Sequence, residues 1–505
     1  MRNLLRRTAV AAVILSILLV VFPLPVSADH QASFDAVLPG MAVSLDDQGS
    51  VLRPELRSEV DLSGLPYYTI DARLDLGAAT LAAEERVVLT NPAPHPLESV
   101  VFRLLPNAAS IYSGGSLTVE EVTRNETAVP WTLSPDRTVL TVVLEPAIAP
   151  GSTVELELTF RGIIPTGSNA YNIYHHSSSV TSLAGWYPVL APYENGWDTT
   201  PVPAVGDANH FSTGLYDVTL VAPASHVVVS TGTTLRSYRD GELRVWRLLS
   251  GPARGFAIAL SDRFQLHTTE VEGVRLNYYA LPTAQGRAPQ DALRIAADSF
   301  RVFNTRFGPY PYEEFDVVET LVSVGGYEFA GMVFVEQSLR ASASLEQVRF
   351  IVSHEVAHQW WYALVGSDPV AEPWLDESLA TYSVAIYLED VFGPEAARSM
   401  VAYFRREGGS PSGGGVGIGV SALAFSTWTD YRAPVYYRGA LFVDALRTEL
   451  GDDAFYAFLS DYARTYRFGI ATTTDLTTAA EGYAGRQLDD VYQVWFGSSE
   501  PGTQS

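Results

Sequence analysis

Two residue types are missing from the sequence, and each absence excludes a kind of chemistry. None of the 505 residues is lysine, so the 33 residues counted as lysine or arginine are all arginine. Without lysine there is no phosphate-loop lysine, no Schiff-base chemistry and no lysine nucleophile. Cysteine is also absent, which excludes disulfide bonds and thiolate metal ligands.

Basic residues are also fewer than acidic residues. The chain has 57 acidic residues against 33 arginines, for a formal net charge of −24. No basic run follows the first few residues, so a nucleic-acid partner is not expected. The acidic surface mainly favours solubility. A length of 505 residues predicts two or three domains.

The N-terminal segment has the pattern of an export signal. Three arginines within the first seven residues precede an uncharged apolar run over 8–22, and small residues at 26–28 resemble a cleavage site. We predict that residues 1–28 are a signal peptide and that the protein is secreted or belongs to the cell envelope. The alternative is an uncleaved membrane anchor, although the run is short for a span of about 20 residues. The membrane would be a partner only in that case.

Residues 29–63 are predicted to be an irregular leader segment, followed over 64–270 by an antiparallel β domain. In "TVELELTF", which begins at Thr153, apolar and polar residues alternate, as in a strand with one buried face. Glycine and proline separate such runs from one another.

The pattern becomes helical after residue 270. We predict a catalytic core over 271–395 and a helical C-terminal part over 396–505, interrupted by a mobile glycine-rich loop at 407–420. One long helix is predicted to cover "LEQVRFIVSHEVAHQWWYALVG", residues 345–366. The expected fold class is therefore a multidomain α+β protein.

The stretch "HEVAHQWW" contains the first candidate metal ligands. His354 and His358 are four residues apart on the predicted helix, so both imidazoles project from one face and can share an ion. Imidazole suits zinc. The alternative is a helix that carries both histidines by chance.

A third ligand is available on the next helix. Eighteen residues separate His358 from Glu377 in "EPWLDESLATY", enough for a turn and the start of a second helix. A catalytic zinc takes three protein ligands and keeps one open position. Taken alone, Glu377 could instead be a solvated residue in a first helical turn.

These motifs together resemble the gluzincin aminopeptidases, the aminopeptidase N-like zinc metallopeptidases, whose signature is H-E-x-x-H, eighteen residues and E. Other matching segments are "FGPYPYEEFDVVE", "GGYEFAGMVFVEQ", "VYYRGALFVDAL" and "ARGFAIALS". The resemblance to short bacterial members covers most of residues 64–500. It implies a thermolysin-like α/β catalytic core, one zinc ion per chain and release of N-terminal residues from peptide substrates.

The zinc ligands leave room for a base beside the ion. Glu355 follows a ligand directly, so it is placed to accept a proton from the attacking water and to pass it to the leaving amine. By resemblance, Glu328 in "GGYEF" binds the free amine of the substrate from an edge strand. Tyr327 and Phe329 stand where the family has methionine and asparagine.

The segment "VYYRG" supplies the last candidate. By resemblance to the V-Y-x-K-G segment, Val435 and Gly439 fix the register, so Tyr436 is the catalytic tyrosine and Arg438 replaces the usual lysine. On a helix, Tyr437 would diverge from Tyr436 by about 100°.

Several assignments remain open at this stage. No second amine-binding residue can be identified, and Glu194 is only a guess. Trp186, Tyr187 and Tyr327 are possible pocket walls, while His175 and His176 are interpreted as a loop feature rather than a second metal site. A zinc endopeptidase of the same fold and a non-catalytic peptide-binding protein are the alternative functions. The oligomeric state and the preferred N-terminal residue are unknown.

Overall fold

A computed structural model describes residues 48–49, 51–409 and 417–496. The predicted signal peptide, most of the leader segment and the centre of the glycine-rich loop lie outside these residues.

The first half of the described chain consists of strands in three sheets. Their bounds are β1 Tyr67–Asp75, β2 Thr80–Thr90, β3 Leu97–Arg103, β4 Ser116–Arg124, β5 Thr127–Ala128, β6 Trp131–Leu133, β7 Val139–Ile148, β8 Thr153–Ile163, β9 Tyr174–His176, β10 Thr181–Leu183, β11 Val189–Leu190, β12 Thr213–Pro223, β13 Val227–Ser230, β14 Thr233–Asp240, β15 Leu243–Arg254 and β16 Ile258–Ser261.

The largest sheet has the strand order β14-β15-β12-β1-β2-β8-β4-β5. Its strands alternate as the sequence predicts: in β8, residues such as Val154 and Leu156 are buried while Glu155 and Glu157 are exposed. The domain is antiparallel as predicted except at one pair, because β1 and β12 run parallel. These two strands are far apart in sequence, so no hairpin turn sets their direction.

A fourth sheet, with both parallel and antiparallel pairs, begins only a few residues after β16. It has the order β17-β18-β19-β21-β20, built from β17 Gln265–Val271, β18 Val274–Ala280, β19 Glu314–Thr320, β20 Gly326–Phe329 and β21 Met332–Glu336. Strand β20 is at one edge and pairs antiparallel with β21. The hydrophobic core of the first half continues into this sheet through Phe329 and Met332.

Helices make up most of the rest of the described chain. They are α1 Pro289–Phe307, α2 Gln337–Ser342, α3 Leu345–Ala357, α4 Trp374–Phe392, α5 Pro394–Gly408, α6 Trp428–Arg432, a π-helix Ala433–Arg438, α7 Gly439–Leu450, α8 Asp452–Thr465, α9 Thr473–Ala484 and α10 Asp489–Phe496, with short 3₁₀ turns at Leu105–Asn107 and Ala422–Ala424. Strands followed by helices give the mixed α+β class that the sequence predicts.

Helix α3 is shorter than the sequence predicts. It begins with a capping box, in which the side chains of Ser344 and Gln347 each accept a hydrogen bond from the backbone N–H of the other residue. The helix ends at Ala357. Beyond it, Trp360 and Trp361 are buried and Tyr362 has a φ of 146°. A tyrosine tolerates such a φ only where surrounding contacts hold it.

A buried arginine holds this turn. Arg254, at the end of β15, donates hydrogen bonds to the carbonyl oxygens of Phe211 at 2.7 Å, Tyr362 at 2.9 Å and Gly469 at 2.7 Å. These three acceptors belong to the β domain, the turn after α3 and the C-terminal helical part. One side chain therefore connects all three parts of the described chain.

Among the described residues, none of the helices is both long enough and apolar enough to cross a bilayer.

Replacing Arg254 by methionine should lower the free energy of unfolding by about 2 kcal/mol or more, because the carbonyl oxygens of Phe211 and Tyr362 lose their donor at about 1–3 kcal/mol each. The carbonyl oxygen of Gly469 keeps a hydrogen bond from the N–H of Gly366 at 3.0 Å. Urea denaturation of the purified proteins measures the loss of stability. The matched control is Arg239→Met on β14, whose side chain is 62% exposed and which should change stability by less than about 0.5 kcal/mol. Equal stability of the two variants would show that Arg254 does not clamp the fold.

Candidate active site

Three side chains converge at the end of α3 and the start of α4. The Nε2 atoms of His354 and His358 are 3.1 Å apart. Oε2 of Glu377 is 3.1 Å from Nε2 of His354 and 3.6 Å from Nε2 of His358. All three residues are buried, and no other group of at least three His, Cys, Asp or Glu ligand atoms within 4.8 Å of one another is found among the described residues.

The dimensions of this triangle fit a zinc ion. A tetrahedral zinc with ligands at about 2.0–2.1 Å requires ligand atoms about 3.3–3.4 Å apart, and the observed edges bracket that value. Oε2 of Glu377 is buried and accepts no hydrogen bond within the described part of the chain. A buried carboxylate oxygen facing two imidazole nitrogens without a donor is suited to a cation.

The imidazoles are oriented by groups behind them. Nδ1 of His358 lies 2.8 Å from the carbonyl oxygen of Trp361, so it carries the proton and leaves Nε2 free to bind a metal. The shortened helix α3 makes this contact possible, because Trp361 follows the helix and turns its carbonyl back. Nδ1 of His354 faces the hydroxyl of Thr381 at 3.5 Å.

The start of α4 places Glu377. Its backbone N–H donates to Oδ1 of the neighbouring Asp376 at 2.8 Å, and both acids occupy the first turn, where the helix dipole favours negative charge. Burial alone would favour the neutral acid, but the adjacent imidazoles of His354 and His358 hold the pKa of Glu377 well below its usual range. The ligand carboxylate is therefore ionised.

Glu355 projects from α3 toward the edge strand. It is buried, and one of its carboxylate oxygens has no hydrogen-bond partner among the described residues. A side chain at Gly326 on β20 would overlap the Glu355 carboxylate. The glycine therefore lets the strand backbone lie directly against this carboxylate.

Glu328 lies in the same edge strand and is buried within the cavity that contains the histidines. Burial raises the pKa of Glu328 to about 8, an effect that nearby Glu377 reinforces and His358 opposes.

A second carboxylate approaches from the β domain. Asp207 is buried and lines the same cavity. Burial, and then the charges of Glu328 and Glu377, raise the pKa of Asp207 well above its usual range. The neighbouring carboxylates of Asp207, Glu328 and Glu377 together favour a positively charged ligand in the cavity.

The loop that carries Asp207 is fixed by aromatic residues. The hydroxyl of Tyr171 donates to the carbonyl oxygen of Gly206 at 3.1 Å and accepts from its N–H at 2.9 Å. Gly206 has a φ of 91°, and a Cβ there would overlap the ring of Tyr431. Both constraints fix the backbone immediately before Asp207.

The segment around Tyr436 is a π-helix, wider than the α-helix assumed from the sequence. Pro434 has no N–H to continue an α-helical ladder, and the hydroxyl of Ser378 on α4 donates to the carbonyl oxygen of Val435 at 2.7 Å. A Cβ at Gly439 would overlap that hydroxyl, so the glycine permits the close approach.

The two adjacent tyrosines point in different directions. The hydroxyl of Tyr436 donates to Oε1 of Glu377 at 2.6 Å. The hydroxyl of Tyr437 instead lies 3.1 Å from that of Tyr403 on α5. Tyr436 is therefore the one in contact with the metal-ligand cluster.

A cavity of about 680 Å³ joins these groups and opens to the surface. It is lined by Asp207, Glu328, Glu355, the histidines and both tyrosines, with Tyr171, Tyr327 and Trp428 as aromatic walls. This cavity combines a group of metal-ligating side chains, a carboxylate without a hydrogen-bond partner among the described residues and a tyrosine hydroxyl. With a metal bound, these groups can polarise a carbonyl, move a proton and stabilise negative charge.

Other candidate residues lie elsewhere. Glu194 is exposed in a turn and Trp186 and Tyr187 pack in the core of the β domain, so none of them lines the cavity. His175 and His176 are in strand β9 rather than in a loop, and Nδ1 of His176 contacts the hydroxyl of Thr181 at 2.7 Å.

Asp207 was missed in the sequence because it occurs in an irregular segment, "PVPAVGDANHF", without a helical or strand period. Nothing local links it to a helix more than one hundred residues later. The glycine directly before it was the available signal, since a positive φ beside an acid often marks a constrained functional loop.

Comparison with known proteins finds a family match for the C-terminal part of the chain. Residues 291–495 match the model of the Peptidase family M1 domain. Aminopeptidase M1 of Arabidopsis thaliana is 23% identical over 300 residues, covering 55% of this chain and 33% of the relative. Aminopeptidase N of Streptomyces lividans is 24% identical over 301 residues, covering 55% and 34%. The matched part is about a third of the length of these relatives.

The fold has a relative of nearly the same length. The crystal structure of an M1 zinc metallopeptidase from Deinococcus radiodurans superposes with a TM-score of 0.66 at 20% identity, covering 87% of this chain and 96% of that chain. The β domain followed by a mixed α/β and helical part is thus the fold of that protein. Residues 291–495 therefore match an M1 peptidase domain, and this region contains the two histidines and the glutamate at the spacing of the gluzincin signature.

Proposed function

We propose that this protein is a zinc aminopeptidase that removes residues from the free N-terminus of peptides. The observation that carries the proposal is the pair of buried carboxylates, Glu328 and Asp207, beside the His354–His358–Glu377 cluster in one cavity. The three metal-ligating side chains alone would fit any zinc peptidase. The acidic pair adds a binding site for an ammonium group next to the place where the bond is cut.

His354, His358 and Glu377 would hold zinc, which would supply Lewis-acid polarisation of a carbonyl and lower the pKa of water. Glu355 accepts the proton from the attacking water and delivers it to the leaving amine. Gly326 lets the backbone of β20 approach Glu355, so a substrate paired along that edge strand brings its carbonyl to the same carboxylate.

The N-terminal ammonium of the substrate is bound by Glu328 and Asp207. An arriving cation compensates the repulsion between the two acids, so both ionise when the substrate binds. An internal segment of a longer chain has no ammonium to pair with Glu328 and Asp207, which both line the cavity. A related Deinococcus enzyme variant has been crystallised with a Tyr-Ser-Ala substrate, which supports short peptides as substrates here.

The alternatives are a zinc endopeptidase of the same fold and a non-catalytic peptide-binding protein. The buried acid pair is evidence against the first, because internal segments of a peptide have no ammonium to bind there. Glu355 and the hydroxyl of Tyr436 are evidence against the second, since binding requires neither.

We also propose that the enzyme works outside the cytoplasm, as a secreted or cell-envelope protein. Support comes from the signal-peptide pattern of residues 1–28 and the absence of cysteine. N-terminal sequencing of the exported protein distinguishes a cleaved signal from a retained anchor.

Metal content should depend on the histidines and not on the base. Wild type should hold one zinc per chain, and His358→Ala should lose it, because two ligands do not retain a catalytic zinc. Glu355→Gln should keep the ion and lose about 10²–10⁴-fold in turnover, since an amide cannot accept the proton. Elemental analysis and peptide-hydrolysis assays measure both. Full zinc in His358→Ala would refute the ligand assignment.

A free amine should be required. Acetylation of the substrate's N-terminus should abolish cleavage, and Glu328→Ala and Asp207→Ala should each narrow the rate difference between free and blocked substrates. Aminoacyl reporters with free and acetylated amines, assayed with and without a chelator, test the proposal. Glu194→Ala is the matched control and should leave the difference unchanged. Internal cleavage of blocked peptides at comparable rates would favour the endopeptidase.

Tyr436→Phe should lower kcat by about 10²–10³-fold, the usual loss for one donor to the developing oxyanion. Zinc content and KM should change little. The control is Tyr437→Phe. The hydroxyl of Tyr437 contacts Tyr403 rather than the metal ligands, so this substitution should lower kcat only slightly. A severe defect in Tyr437→Phe with a normal Tyr436→Phe would reverse the assignment of the two tyrosines.

A further inference from the structure

The charges around the active-site cavity are unevenly distributed. Its inner part carries Asp207, Glu328, Glu355 and Glu377, and further glutamates line other parts of the wall. Arg432 is the single arginine among the lining residues. The protein has 57 acidic residues and 33 arginines. An arginine in this cavity is therefore expected to bind an acidic group.

That partner is not found in the described part of the chain. Arg432 is exposed and forms no ion pair there; its contact is with the ring of Tyr437, 5.8 Å from the guanidinium carbon to the ring centre. Arginines on the neighbouring helix α5 behave differently. Arg405 pairs with Asp444 at 3.4 Å, and Arg406 pairs with Glu407 at 3.0 Å.

The contact with Tyr437 leaves the guanidinium available. An arginine stacked near a ring keeps the N–H groups along its edge free to bind a carboxylate in a bidentate manner. The ring also limits the rotamers of a long side chain, which reduces the entropy lost when a ligand binds. Arg432 is therefore both unpaired within the described residues and partly preorganised.

The distance from the metal cluster sets the length of the ligand. Arg432 is one helical turn before Tyr436, whose hydroxyl reaches Glu377 at 2.6 Å. Residues one turn apart on a helix have Cβ atoms about 5–6 Å apart, so the guanidinium is on the order of 10 Å from the cluster. An extended peptide advances about 3.3 Å per residue. That span corresponds to about two or three residues beyond the scissile bond.

We propose that Arg432 binds the C-terminal carboxylate of the substrate and thereby selects short peptides, of about three or four residues, with a free C-terminus. This inference rests on the proposed aminopeptidase function. A short peptide is a zwitterion: its ammonium would meet Glu328 and Asp207, and its carboxylate would meet Arg432, which lines the same cavity. The cavity thus matches both charges of the substrate.

The test compares one tripeptide with a free C-terminus and the same tripeptide as its amide. For the wild-type enzyme the free acid should have a KM about tenfold lower, the value of a charge-assisted hydrogen bond at the low end of its range. Arg432→Gln should raise the KM of the free acid to that of the amide, with kcat nearly unchanged. Arg432→Lys should retain part of the preference because it keeps the charge and loses the bidentate geometry.

Arg405→Gln is the matched control, since it also removes an exposed positive charge near the cavity but does not line it. It should leave the preference for the free acid intact. Arg432→Gln could keep the full preference for the free acid, or it could raise the KM of the free acid and the amide equally. In either case Arg432 does not bind the carboxylate and the inference is wrong.

A binding measurement separates this inference from the proposed function. Zinc-loaded Glu355→Gln protein, with and without Arg432→Gln, is titrated calorimetrically with the free acid and the amide. Loss of discrimination upon Arg432→Gln supports carboxylate binding even if the wild type proves to hydrolyse neither peptide, an outcome that would refute only the aminopeptidase proposal. Equal affinity of both peptides for the Glu355→Gln protein would overturn the role of Arg432.

Discussion

The guanidinium of Arg254 is the contact on which the active site most depends. It is fully buried and bonds carbonyl oxygens from the β domain, from the turn after α3 and from the C-terminal helical part. The middle bond, to Tyr362, holds a residue with a φ of 146°. The preceding carbonyl, of Trp361, then faces Nδ1 of His358. A side chain of the β domain therefore helps to orient a metal ligand that belongs to another part of the fold.

The site itself concentrates negative charge among buried side chains. Asp207, Glu328, Glu355 and Glu377 are all buried around two imidazoles. Such a cluster is costly unless cations compensate it. A metal ion held by His354, His358 and Glu377 would supply positive charge there, so the arrangement favours the metal-loaded protein over the empty one. The same electrostatics explains why the acids come from different parts of the chain: no single helix or strand could place them so close together.

How much the sequence reveals depends on the range of the interactions. The histidine pair, the spaced glutamate and the edge-strand Glu328 follow from local spacing and family resemblance, and the structure brings them into one cavity. For Asp207 the preceding glycine is the one local signal, because only the folded chain brings its loop to the histidines. The early end of α3 was missed because the apolar run continues through Trp360 and Trp361, whose burial does not require a helix. The parallel pairing of β1 and β12 likewise reflects a long-range contact without local signal.

The π-helix at Ala433–Arg438 has a consequence for how this enzyme could evolve. It accommodates one more residue per turn than an α-helix would at this point. Deleting a single residue there would restore α-helical spacing and rotate Tyr436 by about 100° relative to α7. The hydroxyl would then leave Glu377, and Arg432 would leave the cavity wall. Homologous enzymes can therefore exchange side chains in this segment, but insertions and deletions within it should be selected against much more strongly than substitutions.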